Sequence, residues 1–428
     1  MSVLIVLDSF KGSLSARNAC HAFAEGVRSV SSVDVIEMPI ADGGEGLIDC
    51  LKDSLLPQGW SEHKVKVTGP DAKEVTASFL IKGNEAVLEM ARSSGLMLVD
   101  NQRRHVLEAT SFGLGETIAA AIDAGATELR IGLGGSATND LGLGCMQALG
   151  VRFFDSEGKE LLSPIKARDL SKIRSLSTDL FNRRYPNINV TAVCDVDNPL
   201  LGMRGATRVF GAQKGAREDE LDQLESSMSH VAEVLTAHFG HSVADQRGAG
   251  AAGGMGAALM WFFNARTRSG IEAVLDTLSF DRYADDADYV ITGEGSFDAQ
   301  SLGGKAPLGV LKRSRLLGKD VILVAGQILT PSREVKKLGF SEAFALTSFA
   351  TSRSESMDKA SDILFSIARQ WAIKKLKQDY NDITDQFYNL NFEILVIDDF
   401  LKKHEKICTK EESINALRER RKYLEVKV

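Results

Sequence analysis

Residues 129–150 of the chain read LRIGLGGSATNDLGLGCMQALG, and their order indicates the class of fold. An apolar run of strand type enters a glycine-rich turn, and the pattern predicts a helix that begins near residues 138–140. Glycines let the backbone approach an anion closely, and the free N–H groups and dipole of a helix start attract negative charge. The stretch therefore predicts an α/β protein whose turn binds phosphate. The candidate residues are Gly134, Gly135, Ser136, Thr138 and Asn139.

The same stretch fits two other interpretations. Gly132, Gly134 and Ala137 match the pattern G-x-G-x-x-A of dinucleotide-binding turns. The segment VRFF then ends in Asp155, roughly where a ribose-binding acid would lie, so the protein could be an NAD-dependent oxidoreductase of a small hydroxy acid. A purely structural turn is the second alternative, because a chain with 38 glycines contains chance matches. The pattern GxxxxGK[ST] does not occur, which excludes a P-loop.

Apolar runs alternate with amphipathic stretches outward from this turn along most of the chain. Residues 3–7 predict a strand, and Ser13 or Ser15 is the expected N-cap of the helix that follows. Residues 33–38 predict a second strand, which leads into the loop ADGGEG. This order is typical of a parallel sheet with helices on its faces.

Three apolar segments, at 65–69, 75–81 and 86–90, follow one another with no helical stretch between them. They predict a local antiparallel hairpin, which we interpret as the start of an inserted domain. The later segments ADYVITGEG, DVILVAG and AFALTS return to the alternation of strand and helix, and we expect them to extend the N-terminal sheet. The pattern therefore predicts two domains, one of them discontinuous.

A second glycine cluster reads RGAGAAGGMGAALMWFF at residues 247–263. The preceding SVADQ is not a clear strand, so this cluster lacks the context of the first one. Its small residues predict a helix that packs closely against a neighbour. Direct contact with a ligand is an equally open interpretation.

Charge and composition exclude several classes of function. The 428 residues carry a formal net charge of -7, so no broad basic field is available for nucleic acid or anionic lipid. The five cysteines are odd in number and include no CxxC pair, which fits a reduced cytosol. The start MSVLIVLDSFKGSL has no basic region, and Asp8 and Lys11 interrupt it, so neither a signal peptide nor a membrane span is predicted. We expect a cytoplasmic enzyme with small-molecule partners.

Polar side chains follow several predicted strands, where open α/β sheets bind their ligands. Phosphoryl transfer needs carboxylates that hold magnesium, cations on the phosphates and a group that orients or deprotonates the attacking hydroxyl. Each type is present, although single acids after strands are also common turn residues and single loop lysines are commonly on the surface. The candidates are Asp8, Ser9, Asp42, Glu45, Asp195, Asp197, Asn198, Glu294 and Asp298, with the loop lysines Lys11, Lys214 and Lys305.

These loops belong to an ordered set of short blocks. The blocks run from LDSFKGSLSA through PIADGGEG, EMARSSGL, IGLGGSATND, CDVDNPLLG, FGAQKGA and GAGAAGGMGAAL to ITGEGSFDAQSLGGKAPLGV, within about residues 1–372. In this combination they resemble the bacterial glycerate kinases that phosphorylate D-glycerate with ATP. The resemblance implies a discontinuous Rossmann-like domain with a parallel sheet and a second α/β domain inserted into it. It also implies ATP and Mg²⁺ as cofactors and phosphoglycerate, usually the 2-phosphate, as product.

The resemblance and the placement after strands together predict roles for individual residues. We expect Asp195 to orient the glycerate hydroxyl, and Lys11 and Lys305 to neutralise phosphate charge. The expected substrate-binding residues are Ser9, Asp42, Arg92 and Asn198, the expected nucleotide-binding residues are Gly134, Gly135, Ser136, Thr138 and Asn139, and the expected metal ligands are Asp42, Glu294 and Asp298. Arg92 departs from the small residue that relatives tend to have, and it places an extra cation near the site or on its rim.

The predicted domains are residues 1–64 with 285–374, an inserted domain at 65–284, and a C-terminal extension at 375–428. The extension contains no Gly and no Pro and is dense in Lys, Glu, Asp and Asn, which predicts helix. It lies outside the family pattern. We interpret it either as an appended solvated segment or as a module that binds a partner, and in the second case function would depend on it.

Overall fold

The computed structural model describes most of the chain and divides it into two compact units. The described residues are 1–40, 46–100, 104–298, 301 and 305–376. One unit, here called the discontinuous unit, comprises Met1–Ala41 and Ser279–Val428, and the other, the inserted unit, comprises Asp42–Leu278. Each contains a β-sheet and helices, so the predicted α/β class is confirmed.

Strands and helices alternate along most of the described chain. The strands are β1 (Ser2–Leu7), β2 (Asp34–Glu37), β3 (Ser61–Thr68), β4 (Glu74–Lys82), β5 (Glu85–Glu89), β6 (Glu128–Gly132), β7 (Arg152–Phe154), β8 (Ser175–Ser177), β9 (Asn189–Val193), β10 (Arg266–Arg268), β11 (Tyr289–Phe297), β12 (Asp320–Ile328) and β13 (Glu342–Ala345). The helices are α1 (Ala16–Arg28), α2 (Leu47–Leu55), α3 (Ala91–Ser94), α4 (Phe112–Asp123), α5 (Leu143–Ala148), α6 (Asp179–Arg184), α7 (Ala206–Phe210), α8 (Glu218–Phe239), α9 (Ala251–Phe263), α10 (Gly270–Thr277), α11 (Phe280–Asp285), α12 (Ala306–Leu316), α13 (Ser332–Leu338), α14 (Arg353–Asp358) and α15 (Ala360–Lys375).

The sheet of the discontinuous unit is parallel, with its strands in the order β13, β12, β11, β1 and β2. Residues 3–7 of β1 are fully buried. A parallel sheet covered by helices on both faces needs such continuous apolar strands, because both faces of each strand are packed. β11 lies beside β1, and β12 and β13 continue the sheet beyond it, which confirms the prediction that the late strands extend the N-terminal sheet.

The helix pair α1 and α15 closes the core of this unit. α1 begins after Ser15, whose hydroxyl accepts a hydrogen bond of 3.2 Å from the N–H of Asn18, so Ser15 is the cap that is used. The two helices approach closely at Gly26, where an added Cβ would lie 2.3 Å from the carbonyl oxygen of Phe365. Trp371 of α15 is buried in this core. α15 is therefore an integral part of the unit.

The sheet of the inserted unit has the strand order β10, β9, β6, β5, β4 and β3. β4 is antiparallel to both β3 and β5, so the predicted hairpin is confirmed. β5, β6, β9 and β10 are parallel, and Gly132 at the end of β6 pairs with Val193 at the end of β9. The glycine-rich turn and the segment CDVDNPL thus leave the sheet side by side.

The helix after the glycine-rich turn begins later than predicted. α5 begins at Leu143, whereas the sequence predicted a start near residues 138–140. Leu141 and Gly142 have φ angles of +52° and +66°, and an α-helix cannot include consecutive residues in that conformation. The turn is therefore followed by irregular backbone before α5.

The second glycine cluster forms α9, which is kinked. Ala252, Gly253 and Gly254 have left-handed backbone angles, so they interrupt the regular helix near its start and form the kink. A Cβ on Gly253 would lie 2.0 Å from the carbonyl oxygen of Thr138, so close packing is one reason for the small residues. Ala251 and Ala252 also line a cavity beside the glycine-rich turn, and contact of this cluster with a ligand stays a prediction.

The two units do not follow the domain limits predicted from the sequence. The boundaries fall at residues 42 and 279, whereas 65 and 285 were expected. α2 belongs to the inserted unit, where the Glu89 carboxylate of β5 accepts a hydrogen bond of 2.6 Å from the N–H of Gly46 at the start of this helix. α11 belongs to the discontinuous unit, where Asp281 pairs with Arg313 of α12 at 2.6 Å.

Among the helices of the described residues, none has both the length and the apolar character that a membrane crossing requires. The predicted extension lies outside the described residues from position 377 onward, so its helical prediction stays a prediction. The loop positions Asp42 and Glu45 lie outside them as well.

Candidate active site

The glycine-rich turn follows β6 and is fixed by hydrogen bonds to a neighbouring segment. The N–H of Leu96 donates to the carbonyl of Gly135 at 2.7 Å, and the N–H of Ala137 donates to the carbonyl of Ser94 at 2.9 Å. Gly135 has a φ of +68°, a conformation that glycine adopts without steric cost. The turn is therefore an ordered part of the inserted unit.

A cavity of about 400 Å³ opens beside this turn, which is a size typical of small-molecule sites. Its walls come from the turn, the segment after β9, the start of α9 and a short 3₁₀ helix at Ala212–Lys214. Asp195 and Lys214 are the charged side chains among its lining residues. The structure thus brings the predicted Gly134, Gly135 and Ser136 together with the predicted Asp195.

Lys214 lies between the cavity and the protein interior, with 3% of its surface exposed. Its ammonium nitrogen donates to the hydroxyl of Ser136 at 2.9 Å and to the carbonyl of Thr138 at 2.7 Å. Burial lowers the pKa of Lys214 to about 7, and the negative charge of Asp140 opposes this shift. The sequence favoured a surface lysine at this position, and that interpretation is wrong.

The carboxylate of Asp140 takes the anion position at the start of α5. It accepts hydrogen bonds from the N–H groups of Gly142, Gly144 and Ser111 at 3.2, 3.3 and 2.8 Å, and from the hydroxyl of Ser111 at 2.7 Å. Burial raises the pKa of Asp140 in spite of these bonds. The helix start that was expected to attract phosphate is therefore occupied by the protein's own carboxylate, and the turn itself remains the candidate anion site.

Two of the predicted nucleotide-binding residues lie in the packed interior. Thr138 and Asn139 are fully buried and are not among the residues that line the cavity. The Asn139 side chain donates to the hydroxyl of Thr207 at 3.0 Å. Within the described residues, both positions support the turn through packing, whereas Gly134, Gly135 and Ser136 face the cavity.

Asp195 and Asn198 follow β9 as expected, but they have different surroundings. Asp195 is exposed and lines the cavity, and its carboxylate accepts a hydrogen bond of 2.8 Å from the N–H of Gly270 at the start of α10. The Asn198 side-chain amide donates to the backbone carbonyl of Arg204 at 2.7 Å, and the backbone carbonyl of Asn198 accepts the N–H of Gly250. Asn198 therefore stabilises its loop and does not line the cavity.

Arg92 forms ion pairs with acidic residues of the inserted unit. Its guanidinium lies 2.5 Å from a carboxylate oxygen of Asp49 and 3.5 Å from one of Glu89. Glu89 in turn holds the N-terminus of α2 through Gly46. Arg92 thus supports the segment that follows the ADGGEG loop.

In the discontinuous unit, Ser9 and Lys11 follow β1. The N–H of Ser9 donates to the carboxylate of Asp8 at 2.5 Å. Lys11 is exposed and borders a cavity of about 40 Å³ together with Arg353 and Thr347. That volume holds about one or two water molecules, so this cavity is too small for a nucleotide.

Glu294, Asp298 and Lys305 form an electrostatic cluster in the same unit. The sequence predicted that Glu294 follows a strand. It lies instead within β11, directly after Gly293, which pairs with Leu7 at the end of β1. Burial raises the pKa of Glu294 to about 7; a hydrogen bond with Ser301 and the charge of Lys305 oppose the shift, and Asp8 and Asp298 add to it.

This cluster fits a magnesium ion in its donor chemistry. Glu294 Oε1 is buried and has no hydrogen-bond partner among the described residues, and the negative charges of Asp8 and Asp298 act on the same carboxyl group. A divalent cation would give this oxygen a partner and offset the repulsion. Within the described residues no group of three or more acidic, His or Cys side chains has the geometry of a metal site, and the predicted ligand Asp42 lies outside them.

The model of the Glycerate kinase family matches residues 3–374. The chain belongs to the glycerate kinase family. It is a kinase, as the ordered blocks of the sequence predicted.

Relatives in this family are similar over most of their length. A glycerate kinase from Bacillus subtilis (strain 168) is 42% identical over 375 residues, which cover 87% of this chain and 97% of that protein. A glycerate 2-kinase from Escherichia coli (strain K12) is 41% identical over 355 residues, covering 82% and 92%. A crystal structure from Salmonella typhimurium LT2, of a protein assigned as glycerate kinase 2, has a TM-score of 0.76 at 36% identity and covers 87% of this chain and 98% of its own.

Membership of the kinase family and the structure both count against the dinucleotide alternative. The strand β7 that precedes Asp155 pairs with β8 in a separate antiparallel sheet and is not part of the parallel sheet that follows the glycine-rich turn. The Asp155 side chain accepts the N–H groups of Glu157 and Lys159 and so belongs to a tight turn. A ribose-binding acid would instead end a strand of the main sheet.

Two charged residues at or behind this candidate site were not predicted as site residues. Lys214 was one of three candidate loop lysines for contact with phosphate but was given no individual role, and Asp140 was treated only as part of the helix start. The signal that was available was their position: both lie inside family blocks that are rich in glycine. Their burial depends on packing between segments distant in sequence, which the motif alone does not contain.

Proposed function

We propose that this chain transfers the γ-phosphate of ATP to D-glycerate and releases 2-phospho-D-glycerate and ADP. Membership of the glycerate kinase family supports glycerate as the acceptor. The relative from Escherichia coli that is named glycerate 2-kinase supports the 2-position of the product. The free thiols of Cys20, Cys145 and Cys194 fit the reducing cytoplasm that we propose as its location.

The cavity beside the glycine-rich turn is the observation that carries the proposal. It is lined by Gly134, Gly135 and Ser136 of the turn, by the buried amine of Lys214 and by the carboxylate of Asp195. Phosphoryl transfer needs donors and positive charge for the phosphates together with an acceptor for the hydroxyl proton. We therefore assign the nucleotide phosphates to the turn. Thr138 and Asn139 hold this turn from the interior.

In the proposed reaction, the glycerate hydroxyl oxygen bonds to the γ-phosphorus and the bridging oxygen leaves with ADP. Asp195 orients the hydroxyl and accepts its proton as the new bond forms. Ser9, Arg92 and Asn198 stay candidates for contact with glycerate, although Arg92 and Asn198 also have structural partners. Water must be kept from the γ-phosphate, because hydrolysis would waste ATP.

Magnesium, when bound, would neutralise the phosphate oxygens and lower the barrier to transfer. We propose Glu294 and Asp298 as its ligands, with Asp42 as a further candidate. The buried and unpartnered Oε1 of Glu294 supports this choice. Lys11 and Lys305 are the proposed cations for the remaining phosphate charge.

A coupled assay of ADP release tests this function with the full chain. D-glycerate should be phosphorylated, L-glycerate and other small hydroxy acids should react at least about tenfold more slowly, and NAD should be inert as cosubstrate. Phosphorus NMR of the product distinguishes the 2-phosphate from the 3-phosphate. Formation of 3-phosphoglycerate would overturn the proposed position while leaving the family unaffected, and ADP release that does not depend on glycerate would overturn the substrate.

A further inference from the structure

The hydrogen bonds of Lys214 leave one donor unused when its side chain is charged. A neutral lysine amine has two N–H groups, and the two acceptors here, the hydroxyl of Ser136 and the carbonyl of Thr138, match that number. The ammonium form has a third N–H group. Among the described residues, Ser136 and Thr138 are the acceptors of its side chain, so the third N–H of the ammonium form is left for an acceptor that enters one of the cavities Lys214 lines.

The charges around Lys214 do not favour the ammonium form strongly. Asp140 is the negative group that raises its pKa, and Asp195 lines the same cavity. On its other side Lys214 borders a small cavity whose charged or titratable residues are Asp71, Arg104, His105 and Glu108. Burial outweighs these neighbours and lowers the pKa of Lys214 to about 7.

We propose that Lys214 binds a phosphate group of the nucleotide through its third N–H and takes up a proton as that phosphate enters the cavity. The inference rests on the proposed function, which places nucleotide phosphates at the glycine-rich turn. Its geometric basis is the position of the buried Lys214 amine. This amine donates hydrogen bonds to Ser136 and Thr138, and Lys214 and Ser136 both line the cavity. Lys214 thus acts both as a ligand of the phosphate and as the residue that fixes Ser136.

A phosphate close to this amine would favour its charged form. An anion at hydrogen-bond distance raises the pKa of a buried amine by offsetting the cost of desolvation. At pH 8, a group with a pKa of about 7 is about one-tenth protonated, so a large rise on binding corresponds to the uptake of close to one proton. Binding of the nucleotide should therefore consume protons from the buffer at this pH.

Isothermal titration calorimetry of the full chain with ADP at pH 8 measures this uptake directly. ADP is a suitable probe because its terminal phosphate, with a pKa of about 6, is almost fully ionised at that pH. The heat is recorded in two buffers with different enthalpies of ionisation. The wild type should take up more than about half a proton, and Lys214→Met should lose the uptake and bind ADP at least about tenfold more weakly.

Lys159→Met is the matched control, because it removes the same charge from an exposed position in the turn after β7 of the same unit. It should keep both the affinity and the proton uptake. Equal proton uptake in Lys214→Met and the wild type would overturn the role of Lys214 and leave the nucleotide site standing.

The wild-type titration decides the matter even where Lys214→Met folds poorly. Binding of ADP with no proton uptake overturns the inference without any variant. Absence of ADP binding to a wild type that still phosphorylates glycerate would overturn the proposed nucleotide as well as this inference. The three results are distinct, so failure of the inference and failure of the proposed function can be told apart.

Discussion

The Asp195 carboxylate has two features: it carries a negative charge at the cavity wall, and it accepts a hydrogen bond from the N–H of Gly270. Substitutions can remove the charge with or without the hydrogen bond. Asp195→Asn keeps a side-chain oxygen that accepts this N–H but removes the charge that would accept the hydroxyl proton. We expect kcat to fall at least about 100-fold, equivalent to about 2.7 kcal/mol, with the free energy of unfolding nearly unchanged. The ADP-release assay and denaturant unfolding measure the two effects.

Asp195→Ala provides the comparison at the same position. It removes the acceptor of the Gly270 N–H as well, so it should lose about 1 kcal/mol of stability in addition to the activity. Activity of Asp195→Asn within about threefold of the wild type would exclude a role for the Asp195 charge in the reaction.

Glu294 should make metal binding depend on pH. Its pKa is raised to about 7, so below that pH its carboxyl group is protonated and a metal ion must displace the proton. We expect the affinity for Mg²⁺ to rise by up to about tenfold per pH unit from pH 5 to 7 and to level off above it. Calorimetric titration with Mg²⁺ across this range tests the prediction without any measurement of activity.

The matched controls for this prediction are Glu294→Gln and Glu334→Gln. Glu294→Gln should bind Mg²⁺ weakly and with a flat pH profile, whereas Glu334 is an exposed acid of α13 and its substitution should change nothing. In the absence of metal, Glu294→Gln should also stabilise the fold near pH 7, because it removes a buried carboxyl group that costs stability at that pH. A carboxyl whose folded pKa is raised destabilises the fold progressively as pH rises from about 4.5 to about 7. An unchanged affinity of Glu294→Gln for Mg²⁺ would show that Glu294 is not a ligand of the metal.

At the level of residues, the sequence predicted those parts of the site that depend on local backbone. Gly134, Gly135 and Ser136, which line the cavity, were named as candidates because a glycine turn after an apolar strand is visible in a short window. Lys214 was not assigned because its burial results from packing of a loop 78 positions away from Ser136. The charge state of such a residue follows from its surroundings and not from its motif.

The kink of α9 packs against the backbone of Thr138, which follows the glycine-rich turn. A substitution in the kink should therefore disturb both the helix and the turn. Gly253 has a φ of +68°, and an added Cβ would lie 2.0 Å from the carbonyl oxygen of Thr138. Gly253→Ala therefore combines backbone strain with a clash against main-chain atoms that cannot rotate away. We expect a loss of at least about 3 kcal/mol in the free energy of unfolding, measured by denaturant titration.

Gly240→Ala is the matched control for the kink. Gly240 ends α8 with a φ of +76°, but an added Cβ would have nothing within 4 Å. It should therefore lose about 1 kcal/mol through backbone strain alone. Equal losses in the two variants would show that close packing of α9 on the turn contributes little.

At the level of elements, strands were predicted more accurately than helix starts. β1, β11 and β12 are buried on both faces, so their apolar runs are continuous and easily recognised. The start of α5 was placed too early because the carboxylate of Asp140 binds the amides that follow it, and Leu141 adopts a positive φ that its residue type does not indicate. Tertiary hydrogen bonds thus overrode local preference.

At the level of the whole molecule, the family match ends close to the end of the last described helix. The family model ends at residue 374, and α15 ends at Lys375 with Leu376 still buried in the core of the discontinuous unit. The inserted and discontinuous units were foreseen because the hairpin β3 to β5 interrupts the alternation of strand and helix. The boundaries of the two units differ from the predicted ones. α2 and α11 each join a unit through side-chain contacts, and no local sequence pattern indicates such contacts.

Removal of residues 377–428 tests whether function depends on the C-terminal extension. The described core of the discontinuous unit extends to Leu376 and includes the whole of α15, so we expect glycerate kinase activity within about twofold of the full chain and an unchanged free energy of unfolding. Truncation after Lys359 is the contrasting variant, because it removes α15 with the buried Trp371 and Leu364 and should prevent folding. Loss of activity on removing residues 377–428 from a chain that still folds would instead indicate that the extension takes part in function.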